Sequence, residues 1–169
     1  EALKRTLLEY IEREIDFARQ HKPARIVAKM NSLSHPELIA AIYKASQAGV
    51  RIDLNVRGIC MLIPGQRGIS DNVRVVSIID RYLEHSRIFY FENGGNPEWY
   101  LSSADWMPRN LERRVELLFP VLDKQNQLLL DYFFSVYFAD NVKAFEMLPD
   151  GSWRRQTPQE GQPPVRAQE

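Results

Sequence analysis

ARIVAKM at 24–30, NSLSHPE at 31–37 and VRIDLNV at 50–56 decide the fold class of this chain. The first segment predicts a strand. In the second, Ser34 or His35 is placed to cap a helix, Pro36 suits the first helical position, and Glu37 complements the positive helix end. That helix runs to about Ala48 and stops at Gly49, a residue that readily takes the left-handed geometry past a helix end. The third segment alternates apolar and polar residues, as a second strand does. A strand–helix–strand unit with the usual right-handed crossover implies a parallel pair.

Outward from this unit the pattern stays mixed. Leu3, Leu7, Leu8, Ile11, Ile15 and Ala18 recur at helical spacing over 2–20, and His21-Lys22-Pro23 ends the run. Pro64-Gly65 and Gly68 mark a loop before a third strand at 73–79. RIFYF at 87–91 and EWYLS at 98–102 flank the turn cluster Asn93–Pro97 and form a hairpin. Residues 114–121 predict another strand, with Pro120 near its end. Asp123 caps a helix over 124–139 whose apolar residues, Leu128 to Phe138, predict burial on several sides. Residues 144–148 and 153–155 flank Asp150-Gly151 as a small hairpin. The expectation is an α/β domain over 1–140 with a mixed sheet flanked by helices, a C-terminal hairpin over 141–156, and a disordered tail over 157–169.

Composition narrows the function. Hydrophobic residues are 44% and charged residues 26%, as in a globular chain. Lys+Arg and Asp+Glu are both 22, so a protein that coats nucleic acid by bulk charge is excluded, though a local basic site is not. The single cysteine, Cys60, excludes an internal disulfide and a multi-Cys zinc site, and fits a reducing, cytoplasmic setting. No apolar run reaches membrane-spanning length, so membrane association, left open, is not encoded by such a segment. Starting at Glu1 inside a helical pattern, the sequence is expected to be a piece of a longer protein.

The densest chemistry lies between His85 and Arg114. The hairpin turn makes His85 a neighbour of Ser102-Ser103-Ala104-Asp105, and strand alternation sets His85 and Arg87 on one face. Trp106, Arg109, Arg113 and Arg114 follow. Histidine can attack phosphorus or protonate a leaving oxygen near neutral pH, and arginine's planar fork suits phosphate. The bland alternatives carry weight: a histidine at a strand start is more often structural, and arginines there are more often solvated. Gly65-Gln66-Arg67-Gly68 lacks the GxxxxGK[ST] spacing of a P-loop. His21 and His35 have no partners at metal spacing, so no metal site is expected.

His85-Ser86-Arg87, then Glu92, then Ser102–Asp105 resembles a variant of the phospholipase D signature H-x-K-x4-D, with Arg87 for Lys, Glu92 for Asp and Ser-Ser-Ala-Asp for the closing element. Longer stretches are more specific. SQAGVRIDL at 46–54, VRGIC at 56–60, LEHSRIFYF at 83–91, NGG at 93–95 and SSADWMPRNL at 102–111 resemble the C-terminal domain of the bacterial polyphosphate kinase family, over roughly residues 1–150.

That resemblance implies a phospholipase D-like fold and an enzyme that moves the terminal phosphate of ATP reversibly onto inorganic polyphosphate through a phosphohistidine. It implies two such domains facing each other across a tunnel. This chain resembles the second, so the phosphohistidine and the Mg2+ ligands belong to the preceding domain. Arg57, His85 and Arg114 match family positions that hold ATP, with His85 as a second catalytic histidine acting as acid or base. Arg87, Ser103, Asp105 and Arg109 are supporting candidates, and the role of Glu92 stays open. ATP or ADP, polyphosphate, the preceding domain and further copies of the full-length chain are the implied partners, with no nucleic acid. The fragment alone is expected to be inactive. Two other functions compete: a phospholipase D-like phosphodiesterase or nuclease, and a non-catalytic assembly module.

Overall fold

The computed structural model describes residues 2–169. Helix α1 (Ala2–Arg19) buries Leu7, Ile11 and Ile15, the stripe set by its helical spacing. Strand β1 (Arg25–Met30), helix α2 (Pro36–Gln47) and strand β2 (Arg51–Val56) form the expected unit, with β1 and β2 parallel in the register Arg25↔Arg51 to Met30↔Val56. His35 precedes α2 but makes no side-chain cap bond. Gly49 has φ +97°, the left-handed geometry that ends the helix.

Strand β3 (Val73–Ile78) lies parallel to β2, and β4 (Arg87–Phe91) lies antiparallel on the other side of β1. A 3-10 turn over 93–95 returns the chain into β5 (Glu98–Ser102). Helix α3 (Pro108–Arg113), strand β6 (Leu118–Pro120), helix α4 (Lys124–Ala139) and the hairpin β7 (Ala144–Met147) and β8 (Trp153–Arg155) complete the chain. The eight strands form one sheet in the order β6-β5-β4-β1-β2-β3-β7-β8. The mixed α/β architecture is the one expected. The C-terminal hairpin extends this sheet from β3 and does not stand apart from it.

One face of the sheet presents Ile26, Ala28, Met30, Ile52, Leu54, Val56, Val75, Phe89 and Phe91 to α1 and α2, and this is the main core. Each of these side chains larger than alanine contributes about 1.5–3 kcal/mol on burial. The opposite face sets Val27, Ile88 and Trp99 against Leu130 and Phe134 of α4. Here VRIDLNV departs from its apparent alternation. Asp53 and Asn55 are 3% and 2% exposed, so both faces of this central strand are buried. Asp53 accepts from Arg25 at 2.8 Å and pairs with Arg51 at 3.2 Å.

Two other expectations are corrected. Residues 114–121 do not form a long strand: Pro108 starts α3, and only Leu118–Pro120 pairs with β5. Helix α4 is not buried on several sides. It meets the sheet along one stripe, and Leu128, Leu129, Tyr132 and Phe133 are 70%, 48%, 62% and 37% exposed. Residues 157–169, expected to be a disordered tail, hold no helix or strand but are tied to the body. Arg166 bonds both oxygens of Asp80 at 2.7 and 2.8 Å and holds its carboxyl down to about 2. Gln168 bonds the Tyr82 carbonyl at 2.9 Å and Glu84 at 3.0 Å. No helix among the described residues is long and apolar enough to cross a membrane.

Candidate functional site

Strands β1 and β2 end at Met30 and Val56, and the antiparallel hairpin places the start of β4 and the end of β5 at the same edge of the sheet. Ligands favour this carboxyl edge in α/β proteins. Residues 31–35 continue beyond β1 as a zipper between two loops. Leu33 bridges Cys60 on one side and Trp106 on the other. The Leu33 N–H donates to Ile59 at 2.8 Å, and those of Ser34 and His35 donate to Trp106 at 2.9 Å. The Gly58 N–H donates to the Asn31 carbonyl at 2.7 Å, and a Cβ on Gly58 would lie 2.9 Å from that oxygen. Only glycine lets the two strand ends approach so closely.

A polar chain runs along this edge. Asp105, 7% exposed, accepts from the Asn31 N–H at 2.7 Å and from Arg87 Nε and Nη2 at 3.2 and 3.1 Å. Arg87 Nη1 donates to the His85 carbonyl at 2.9 Å. Asn31 Oδ1 accepts from Arg57 Nε and Nη2 at 3.2 and 3.1 Å. The two guanidiniums are therefore fixed by one buried Asn–Asp pair. The fork of Arg87 on Asp105 is the stronger, charge-assisted kind of bond.

Lys29 enters the same edge from β1. Its ammonium lies 3.2 Å from Glu84, 2.9 Å from the Ser86 hydroxyl and 3.2 Å from the Ser86 carbonyl, and 5.4 Å over the Tyr137 ring. Tyr137 donates to Glu84 at 2.8 Å. Burial lowers the Lys29 pKa, Glu84 opposes that, and the charges of Arg57 and Arg87 add to it.

The expected site residues divide into two groups. Arg57, Arg87 and Asp105 belong to one hydrogen-bonded network, and His85 joins it through its backbone. The register Arg87↔Ser102 brings His85 beside Ser102–Asp105, as the hairpin implied. His85 itself lies in the loop before β4, so strand alternation does not set its direction. Its imidazole is exposed and has no side-chain partner among the described residues. Arg109 and Arg114 are likewise exposed and unpartnered there. The Ser103 hydroxyl donates to Glu116 and accepts from the Leu117 N–H at 2.9 Å, which folds the segment after Arg114 back onto this edge. Glu92 sits at the far end of β4, where the Tyr90 hydroxyl donates to it.

Sequence reasoning missed Lys29 and Asn31. A lysine following an apolar run, one residue before the strand's end, was the available signal. It also treated His35 as bland. That side chain is 1% exposed, with Nε2 3.1 Å from Glu112, and His35, Glu37 and Glu112 converge closely enough to hold a cation. The Lys4 ammonium, 2.8 Å from Glu37 and 3.9 Å from Glu112, already supplies positive charge there.

Comparison with known proteins settles the lineage. The family model described as polyphosphate kinase C-terminal domain 2 matches residues 1–168. The chain belongs to that family. It is 52% identical over 167 residues to a polyphosphate kinase of Rhodopirellula baltica, covering 99% of this chain and 20% of that protein. It is 55% identical over 150 residues to polyphosphate kinase 1 of Chlorobaculum tepidum, covering 89% of this chain and 22% of that one. The crystal structure of polyphosphate kinase from Porphyromonas gingivalis matches with a TM-score of 0.93 at 41% identity, over 98% of this chain and 25% of that one. NucT from Helicobacter pylori matches with a TM-score of 0.53 at 12% identity, over 76% of this chain and 87% of that one, and shares the fold alone. The chain thus spans about a fifth of the length of these curated polyphosphate kinases, and the resemblance drawn from its sequence holds.

Proposed function

We propose that this chain forms one wall of the transfer site of a polyphosphate kinase, which moves the terminal phosphate of ATP reversibly onto inorganic polyphosphate. The observation that carries this reading is the pair Arg57 and Arg87, fixed at the carboxyl edge of the sheet by Asn31 and Asp105. A transferring phosphoryl group spreads charge over its oxygens, and catalysis is mostly positioning plus cations that need not move to meet it. Arg57 uses Nε and Nη2 on Asn31, which leaves Nη1 to a phosphate oxygen. Arg57 and Arg114 neutralise the phosphates of ATP, and His85 acts as acid or base on the transferred group. Arg87, Ser103, Asp105 and Arg109 support them.

The histidine that carries the phosphate belongs to the remaining four-fifths of the protein. The apolar strip of α4 is where we place contact with the preceding domain. The residues of this edge do not fit a divalent cation. Asp105 is committed to Arg87 and Asn31, and Glu84 to Lys29 and Tyr137, so a Mg2+ ion would have to take its protein ligands from outside this edge. We place the full-length enzyme in the cytoplasm, as an oligomer.

The test is polyphosphate synthesis from ATP and Mg2+ by the full-length enzyme carrying Arg57→Ala, Arg114→Ala or His85→Ala. Each loss should lower synthesis about 10²–10³-fold, the range for one lost transition-state donor, with the circular dichroism unchanged. Near-native synthesis by any one of them removes that residue from the site. The 169-residue chain alone should make no polyphosphate.

A further inference from the structure

We propose that Lys29 is a positioning residue for His85, holding the residues on both sides of it, Glu84 by its carboxylate and Ser86 by its hydroxyl and carbonyl, from the centre of the sheet. The proposal rests on the reading of His85 as an acid or base in phosphate transfer. Residues 79–86 leave β3 without entering another strand, and Ile79, Tyr82 and Leu83 in that loop are largely exposed. A histidine in such a loop needs anchoring to work as a fixed acid or base, because a displacement of about 1 Å can cost 10²-fold in rate.

The anchoring is visible. An ammonium has three N–H donors and no acceptor. Those of Lys29 are matched by three oxygens, the carboxylate of Glu84, the hydroxyl of Ser86 and the carbonyl of Ser86. Glu84 and Ser86 are the two neighbours of His85 in the chain. Arg87 holds the His85 carbonyl from the other direction. The segment is thus gripped at three successive residues, while the imidazole stays free.

The same count argues against a direct role for Lys29 on phosphate. Its donors are spent, its side chain is 7% exposed, and Glu84 neutralises its charge. Lys29 also sits on a strand paired on both sides, so it transmits the rigidity of the sheet to a loop that has no partner strand. The lysine shape matters. A planar guanidinium could not reach the hydroxyl and carbonyl of one residue and the carboxylate of another as a tetrahedral ammonium does.

A double-mutant cycle in the full-length enzyme tests this. Lys29→Met should lower kcat for polyphosphate synthesis about 10–100-fold, leave KM for ATP within about threefold, and cost nothing further in a His85→Ala background. Equal losses in both backgrounds, or no loss in the native one, would overturn the clamp. If Lys29→Met does not fold, Ser86→Ala and Glu84→Gln report the same coupling to His85 through gentler changes. Hydrogen–deuterium exchange reads the clamp without activity. Peptides over 80–87 should exchange faster in Lys29→Met, with α1 unchanged, and native protection over 80–87 would refute the proposal. If His85→Ala itself synthesises normally, the catalytic reading of His85 falls, while the exchange measurement still decides whether Lys29 holds the loop.

Discussion

Replacing Asp105 by alanine removes the acceptor on which both strand ends converge. The Arg87 guanidinium, 21% exposed, loses its two bonds to a carboxylate that is 9% exposed. Removing one partner of a buried pair costs about 3–5 kcal/mol, and the partial exposure of Arg87 favours the low end. The Asn31 N–H is orphaned as well, at about 1–3 kcal/mol. The expected loss is about 4 kcal/mol, a large share of the roughly 5–15 kcal/mol that holds a domain together. At about 2–4 °C per kcal/mol for a chain of this size, Tm falls by about 8–16 °C. Asp105→Asn keeps an oxygen for the Asn31 amide but no charge for Arg87, and should cost about half as much. Urea unfolding of the 169-residue chain, followed by its three tryptophans, measures both. A change under about 1 kcal/mol for Asp105→Ala, or a larger loss for Asn than for Ala, would refute the view that this carboxylate is the anchor of the edge.

Two further outcomes follow from buried groups away from the site. Glu14 is fully buried, accepts from the backbone of Arg25 and Asn93 at 3.1 and 2.7 Å, and is pushed up to about 6 by burial from an ordinary 4.5. The folded chain therefore holds this proton more tightly than the unfolded one. Acidification from pH 7.5 to 5 should add about 1 kcal/mol of stability, rising towards about 2 kcal/mol below pH 4.5, and this is lost again as pH rises through 6. The difference in urea midpoint between native protein and Glu14→Gln across that range measures it, and a pH-independent difference would contradict it. Burial also raises the Cys60 thiol to about 11 from 9. Iodoacetamide at pH 8 should modify it about 100-fold more slowly than free cysteine, because only the thiolate reacts, and rapid labelling of the native chain would count against that environment.

The amphipathic stripe of α1, the Pro36 start and Gly49 stop of α2, and the turn between β4 and β5 were legible because each rests on local chemistry. Helix α3 was not. Its six residues carry no period, and Arg113 and Arg114 looked like the beginning of a strand. The exposure of α4 was equally hidden, since an apolar helix shows how much surface could be buried and not how much partner is present. In the site, the hairpin register placed His85 beside Ser102–Asp105. The roles of Lys29 and Asn31 depend on which strand ends abut, and that is a property of the sheet order. Asp105 was visible as a candidate, but its bond to the Asn31 amide bridges 74 positions of chain.

That separation has a consequence for a chain still emerging from the ribosome. When β4 has been made, Lys29, Arg57 and Arg87 are all present, yet the carboxylate that aligns Arg87 with the end of β1 arrives 18 residues later. Until then Arg57 can already meet Asn31, but Arg87 lacks the carboxylate that fixes its guanidinium. The fixed geometry of this edge is completed only when the loop after β5 seats Asp105.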